Sequence, residues 1–324
     1  MEIADGVFTY RGRGGEKIKP GAGSSNVTVI RGDGLVMIDP GVAAGGALDD
    51  VVSGMKRDGL DPQKIRWLLF THAHWDHFNA AGSVVVLSGA RTATSEGESP
   101  FAEDAAKNFN AFIIDFGPFA REIFPFPMFI ARLLVRYAWG RQPKLGIDRR
   151  LADGDQIDDT REIRAISLPG HTDGHTGYFI PDAGVLVSGD LVDFDNSVGM
   201  DFNNPRSSFE AAAASIKRAV GIGADILIPG HGEPLVGPKN VQTMLQGAYD
   251  GGMQYPVLIQ RALGETPLVL KEIFEAVFPN NPFSTEAMRM MLVLIVLLYM
   301  ERSGEAARVE KKGRPAWVLG ENRK

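Results

Sequence analysis

The 324-residue chain holds only six histidines, and they fall into three tight groups. Three stand in Thr71-His72-Ala73-His74-Trp75-Asp76-His77 and two in Pro169-Gly170-His171-Thr172-Asp173-Gly174-His175; the last stands in Pro229-Gly230-His231-Gly232. Each group follows a short apolar run, at 67–70, 166–168 and 226–228. Short apolar runs that empty into Pro-Gly or polar clusters read as buried strands ending in loops. A fold that accommodates this pattern has to bring three strand ends to one point.

Imidazole and carboxylate donors suit zinc, iron and manganese, with zinc the default for a His/Asp set. His72 and His74 are two apart, as on an extended loop, and Asp76 and His77 are adjacent, so one turning loop can feed two ions. The pattern predicts His72, His74 and His171 at one metal and Asp76, His77 and His231 at the other. A bridging carboxylate is then expected, and Asp190 in Ser188-Gly189-Asp190 follows the apolar run 185–187. His175 has no metal slot; it either hydrogen-bonds behind the ligands or has no role in the site.

These stretches resemble the metallo-β-lactamase fold superfamily: THAHWDH at 71–77, PGHTDGH at 169–175, SGD at 188–190 and PGHG at 229–232, in that family's order and spanning about residues 1–240. The resemblance implies an αββα sandwich with the metal site at its strand ends, the same seven ligands, and two divalent metal ions. It also matches Ile38-Asp39-Pro40-Gly41, where Asp39 would orient the metal loop; the alternative is a turn residue after a strand. Relatives often carry a Gly pair after the first motif, whereas Phe78-Asn79-Ala80-Ala81-Gly82 stands here. The superfamily spans lactamases, thioesterases, lactonases, nucleases and redox proteins, so the fold does not name a substrate.

Along the chain, strands are expected at 7–10, 26–30, 35–38, 67–70, 162–168, 177–180, 185–187 and 225–228, with helices at 47–58 and 209–220. Residues 100–145 interrupt this core as an aromatic-rich helical insertion. Seven of eighteen phenylalanines lie within 109–129: Phe109, Phe112, Phe116, Phe119, Phe124, Phe126 and Phe129. Tyr137 and Trp139 follow, interspersed with Arg121, Arg132, Arg136 and Arg141. Such a segment reads as a wall for an apolar substrate, as a dimer interface, as core packing or as a peripheral membrane contact. From about 241 to 324 the order helix, helix, β-hairpin resembles the small winged-helix-like domain that some hydrolases of this superfamily carry. Thr266-Pro267 reads as the start of one helix.

Composition narrows the activity. With 34 Lys and Arg against 40 Asp and Glu, the formal charge is −6, a poor match to nucleic acid or anionic lipid. Residues 240–324 carry ten basic and nine acidic side chains, and the would-be recognition helix, 290–300, is apolar all round, as buried helices are. The basic tip at Lys311, Lys312 and Arg314 reads either as a phosphate contact or as a solvated hairpin. Cysteine is absent, which removes disulfides, thiolate nucleophiles and Cys-bound zinc. The longest apolar run, eleven residues, is too short for a bilayer span, and no secretory signal opens the chain, so the reading is soluble and cytoplasmic. The expected activity is a dinuclear metal-dependent hydrolase, in which a hydroxide shared by the ions attacks an ester, lactone or thioester with an apolar part. A phosphodiesterase or ribonuclease is the second reading and a di-iron redox protein the third; a homo-oligomer is left open.

Overall fold

The computed structural model describes residues 1–12, 25–113, 116–123, 143–157, 161–193, 199–280 and 286–322, with isolated positions between 127 and 133. One sheet runs in sequence order through β1 (Glu2–Ala4), β2 (Val7–Arg11), β3 (Asn26–Arg31), β4 (Leu35–Ile38), β5 (Ile65–Leu69), β6 (Arg91–Ser95) and β7 (Arg149–Leu151). It is antiparallel from β1 to β4 and parallel from β4 to β7. The parallel steps are bridged by helices: α1 (Ala47–Arg57) lies between β4 and β5, and α2 (Trp75–Phe78) and α3 (Ala81–Ser88) between β5 and β6. The insertion before β7 carries α4 (Ser99–Glu103), α5 (Ala105–Ile113) and α6 (Ala120–Ile123).

The second sheet begins with β8 (Arg164–Ser167), β9 (Thr176–Ile180) and β10 (Val185–Gly189), after which β11 (Val192–Asp193) and β12 (Gly199–Met200) form a separate two-stranded ribbon. Helix α7 (Phe209–Ile222) leads into β13 (Ile226–Pro229), which pairs parallel to β10, and β14 (Leu235–Val236) closes the edge.

Period-two alternation explains why the two sheets stack. In β4, Val36 and Ile38 face the space between the sheets, while Leu35 and Met37 face Val51 and Met55 of α1. In β10 and β13, Val185, Val187, Ile226 and Ile228 enter the same central layer, and Leu186 and Leu227 face α7 on the outside. These strands are apolar on both faces, so they appear in the sequence as unbroken apolar runs. The result is an αββα sandwich whose strand ends carry the histidine loops.

The C-terminal part continues with α8 (Pro238–Gly252), α9 (Gln254–Ala262), β15 (Leu268–Val269), α10 (Leu270–Val277), α11 (Glu286–Ser303), β16 (Ala306–Lys311) and β17 (Arg314–Leu319). Its strands form a sheet in the order β15-β17-β16. In α11, every residue from Met290 to Leu297 is buried, in one apolar cluster with Leu186, Leu227 and Ile216 of the sandwich. Full burial of a Leu or Ile contributes about 1.5–3 kcal/mol. The apolar helix therefore holds this unit against α7, which covers the second sheet, as an all-round apolar pattern requires. Thr266-Pro267 does not open a helix: Leu268 and Val269 pair with Trp317 and Ala316, and α10 begins after them, with Glu272 Oε2 accepting the Val269 N–H at 2.9 Å.

Two of the three cations at the basic tip are paired. Lys311 Nζ lies 2.7 and 2.9 Å from the two Glu272 carboxylate oxygens, and Arg314 Nη2 lies 2.9 Å from Glu122 of α6. In the insertion, Phe109, Phe116 and Phe119 are buried, whereas Phe129 is exposed. Phe119 stacks on Trp317 of β17 at 5.3 Å. Phe124, Phe126, Tyr137, Trp139, Arg132, Arg136, Arg141 and the Phe112 side chain lie outside the described residues. No helix among the described residues is long and apolar enough to cross a membrane.

Candidate metal centre

Four strand ends supply the site. The loop after β5 carries His72 and His74, and α2 carries Asp76 and His77 in its single turn, with His74 as its N-cap. The β8–β9 connection brings His171, the end of β10 brings Asp190, and the end of β13 brings His231. All seven predicted residues meet. The donor atoms of His72, His74, His171 and Asp190 lie within 4.8 Å of one another, as do those of Asp76, His77 and His231.

Asp190 stands between the two groups. Its Oδ2 lies 3.7 Å from His72 Nε2, 3.6 Å from His171 Nε2 and 3.8 Å from His231 Nε2, and its Oδ1 lies 3.2 Å from His77 Nε2. His231 Nε2 is 3.1 Å from Asp76 Oδ2, and His171 Nε2 is 2.9 Å from His74 Nδ1. His72 Nε2, His77 Nε2 and Asp190 Oδ1 are buried without a hydrogen bond among the described residues. Orphaned buried polar atoms need an explanation, and imidazole nitrogens converging on carboxylates are the donor chemistry of a divalent cation. The residues fit two such ions.

The local backbone is shaped around this cluster. Asp39 is buried in the left-handed region, φ 51°, unusual for a residue with a Cβ. From there Oδ1 accepts the Thr71 N–H at 2.8 Å, while Oδ2 accepts the Thr71 hydroxyl at 2.6 Å and lies 2.8 Å from His77 Nδ1. Asp39 therefore ties Thr71, at the start of the His72/His74 loop, to His77 and is not merely a turn residue. At Gly230 a Cβ would stand 1.8 Å from Asp190 Oδ1, so only glycine allows β13 to end here.

His175 sits behind the ligands. Its Nδ1–H donates to the Leu168 carbonyl at 3.0 Å, and its Nε2 accepts the Asp190 N–H at 3.1 Å. This pairing requires the neutral ring. Burial, reinforced by the neighbouring His171, pulls its pKa down to about 3. Where Phe78-Asn79 replaces the Gly pair, Asn79 Oδ1 accepts the Ala43 N–H at 3.1 Å, and no ligand is lost.

The charges balance by pairing. Burial opposes ionisation of His231, but Asp190 and Asp76 outweigh it and hold the imidazole up at about 9. Burial likewise opposes the Asp76 carboxylate, yet its bond to His231 and the charge of His77 hold it down at about 2. Burial, with the neighbouring rings of His77 and His171 respectively, keeps His72 and His74 neutral.

Several supporting residues carry no sequence motif. Glu98 is fully buried and accepts from the Ala73 N–H at 2.9 Å and the Thr172 hydroxyl at 2.6 Å, so it ties together the loops that carry His72/His74 and His171. Arg206 neutralises it, with Nη2 2.6 Å from Oε1 and Nη1 3.1 Å from Oε2, and also pairs with Asp173. Asp201 Oδ1 lies 3.1 Å from His171 Nδ1, and Asn204 Nδ2 and Ser207 Oγ both donate to the His171 carbonyl at 2.7 Å. Asn108 Nδ2 of α5 donates to the Ala73 carbonyl at 2.6 Å, and Phe109 packs edge-on against Trp75 at 6.2 Å. The insertion thus touches the metal loop itself.

The family model of the metallo-beta-lactamase superfamily matches residues 20–231, about two thirds of the chain. The chain belongs to the metallo-beta-lactamase superfamily. A probable metallo-hydrolase of Bacillus subtilis, YqjP, is 24% identical over 274 residues, covering 80% of this chain and 83% of its own length. A second probable metallo-hydrolase of the same organism, YflN, is 26% identical over 228 residues, covering 65% of this chain and 80% of its own. Among solved structures, a metallo-beta-lactamase family protein of Thermus thermophilus superposes with a TM-score of 0.74 at 19% identity, covering 98% of this chain and all of that one. A beta-lactamase domain protein of Burkholderia ambifaria gives the same TM-score at 21% identity, covering 99% of this chain and 93% of that one. At such identities the superpositions speak for the fold, and they extend over the C-terminal helices of this metallo-beta-lactamase superfamily member as well as its sandwich.

Proposed function

We propose that the chain is a dinuclear metal-dependent hydrolase of carboxylic esters, lactones or thioesters that carry an apolar part. In this reading His72, His74 and His171 would hold one ion and Asp76, His77 and His231 the other, with Asp190 available to both. The observation that carries it is the position of the Asp190 carboxylate, within 3.8 Å of histidines from both donor groups. The two curated relatives, both probable metallo-hydrolases, support the same reaction class.

Bound divalent ions supply Lewis acidity and lower the pKa of water toward neutrality. The chain's own residues do the rest. Asp76 is ionised at neutral pH and orients the attacking water, then carries its proton toward the leaving group. His175 holds the Asp190 backbone, and Asp39 fixes the His77 ring, so neither donor swings during turnover. Asn108 and Phe109 of the aromatic insertion, packed on Ala73 and Trp75, support an apolar substrate wall beside the metal loop. The ion pairs that occupy Lys311 and Arg314 weigh against a phosphodiester backbone as the substrate.

The test is kcat/KM on an aryl ester with a medium acyl chain and on a bis-aryl phosphodiester, for metal-loaded wild type and Asp76→Ala. The expected result is ester preference and a fall on the order of 10²–10⁴-fold in the variant. Phosphodiester preference, or retained ester turnover in Asp76→Ala, overturns the reading.

A further inference from the structure

A cavity of about 260 Å³ lies where three parts of the chain meet, and none of the seven candidate ligands lines it. Phe116 and Phe119 of the insertion form one side, and Leu294 and Leu298 of α11 form the other. Arg302, one turn further along α11, and Arg308 of β16 complete the lining. The turn before α7 closes the cavity through Ser207, whose hydroxyl donates to the His171 carbonyl. The cavity therefore abuts the back of a metal-ligand loop without opening on the ligands themselves.

Its two cations differ. Arg308 is already engaged: Nη2 lies 2.7 Å from Glu301 Oε2, and the guanidinium packs 5.6 Å from the Phe119 ring and 5.5 Å from the Trp317 ring. Arg302 makes no hydrogen bond or ion pair among the described residues. A largely apolar slot lined by one guanidinium without a counter-charge among the described residues matches a ligand with an apolar body and a single negative charge. Arg binds carboxylate through two parallel N–H bonds, the strongest arrangement available to it. The volume is below the roughly 300–1,000 Å³ typical of sites for drug-sized ligands, which limits the occupant to a short one.

We propose that this cavity is a binding site for a medium-chain carboxylate, its chain between Phe119 and Leu298 and its carboxylate on Arg302. The site stands apart from the metal centre, and its occupancy does not depend on which bond that centre cleaves. A ligand here presses on the turn that holds His171, so the two sites share a wall.

The probe is octanoate, titrated calorimetrically into the metal-loaded full-length chain beside a separate acetate titration, which reports carboxylate binding without filling an apolar slot. One octanoate per chain is expected. Arg302→Gln alters an exposed side chain with no partner among the described residues, and the fold is expected to be kept; it is expected to weaken binding at least about tenfold. Octan-1-ol is expected to bind correspondingly more weakly than octanoate, and Leu298→Trp, which fills the slot, to abolish binding. A crystal soaked with 8-bromooctanoate then places the bromine between Phe119 and Leu298. Unchanged affinity in Arg302→Gln, equal affinity for octan-1-ol, absence of octanoate binding, or bromine found only among the histidines overturns the proposal.

Discussion

Around the histidines, position is set by buried polar atoms. Asp39, Glu98, His175 and Asn204 each spend their hydrogen bonds on a neighbouring ligand loop or on Thr71, and Glu98 alone holds two of those loops and Arg206. In the C-terminal unit, position is set by volume. Eight successive residues of α11 are buried, Trp317 is fully enclosed, and the ion pairs of Lys311, Arg314 and Arg308 lie on the partly exposed outside. The two regions are thus vulnerable to different substitutions. A polar network fails when one atom is removed, because its partners are left buried and unpaired. An apolar helix packed among other helices loses stability in proportion to the space opened.

Four measurements press on this contrast, and the largest effect is expected at Asp190. Asp190→Ala removes the carboxylate that faces both donor groups, and ester turnover should fall by on the order of 10³-fold or more while far-UV circular dichroism is unchanged. Next come two substitutions of comparable effect on stability, of which one acts on metal binding and the other does not. Glu98→Ala leaves Arg206, at 8% exposure, with Asp173 as its carboxylate partner and leaves the Ala73 N–H and Thr172 hydroxyl without Glu98, a loss of about 2–4 kcal/mol in urea unfolding. Leu297→Ala opens a cavity in the apolar cluster, a loss of about 2–5 kcal/mol. Only the first should also weaken metal binding; equal metal affinity in both variants would erase the distinction between the regions.

The pH response comes third, and its sign can be worked out. In the metal-free chain, folding raises the His231 pKa from its ordinary 6.5 to about 9. That contribution to stability is full below the ordinary value and is lost as pH rises through about 9. A metal ion needs the neutral ring, so its affinity should move the other way and climb over the same window. Thermal unfolding and metal titration across it should therefore show opposing slopes. The smallest effect is expected at the hairpin tip, where Lys311→Ala and Arg314→Ala each remove a partly exposed ion pair, a loss of about 1 kcal/mol or less in urea unfolding.

The clustering of the histidines was legible because each motif follows an apolar run, and apolar runs become buried strands. Once β5, β8, β10 and β13 are placed, His72, His171, Asp190 and His231 have only one place to meet. Glu98 was not legible for the converse reason. In Glu96-Gly97-Glu98-Ser99-Pro100 it looks like an acidic surface turn, and only packing turns it inward onto Ala73, Thr172 and Arg206. Asp201 and Arg206 likewise come from a segment with no strand or helix pattern. Strand β6, Arg91–Ser95, was missed because its core-facing residues are Ala93 and two buried threonines rather than large apolar side chains. In the C-terminal unit the apolar helix was plain to read. The fate of the basic tip was not, since its partners Glu272 and Glu122 come from elsewhere in the chain.

The most direct test is the number of ions held by the metal-stripped chain, measured by zinc titration against a chromophoric chelator for wild type and Asp190→Ala. Two donor groups joined by one carboxylate predict two tightly held ions in wild type and loss of at least one from the tight class in the variant. A single ion in wild type, or two ions held equally tightly in Asp190→Ala, would contradict it.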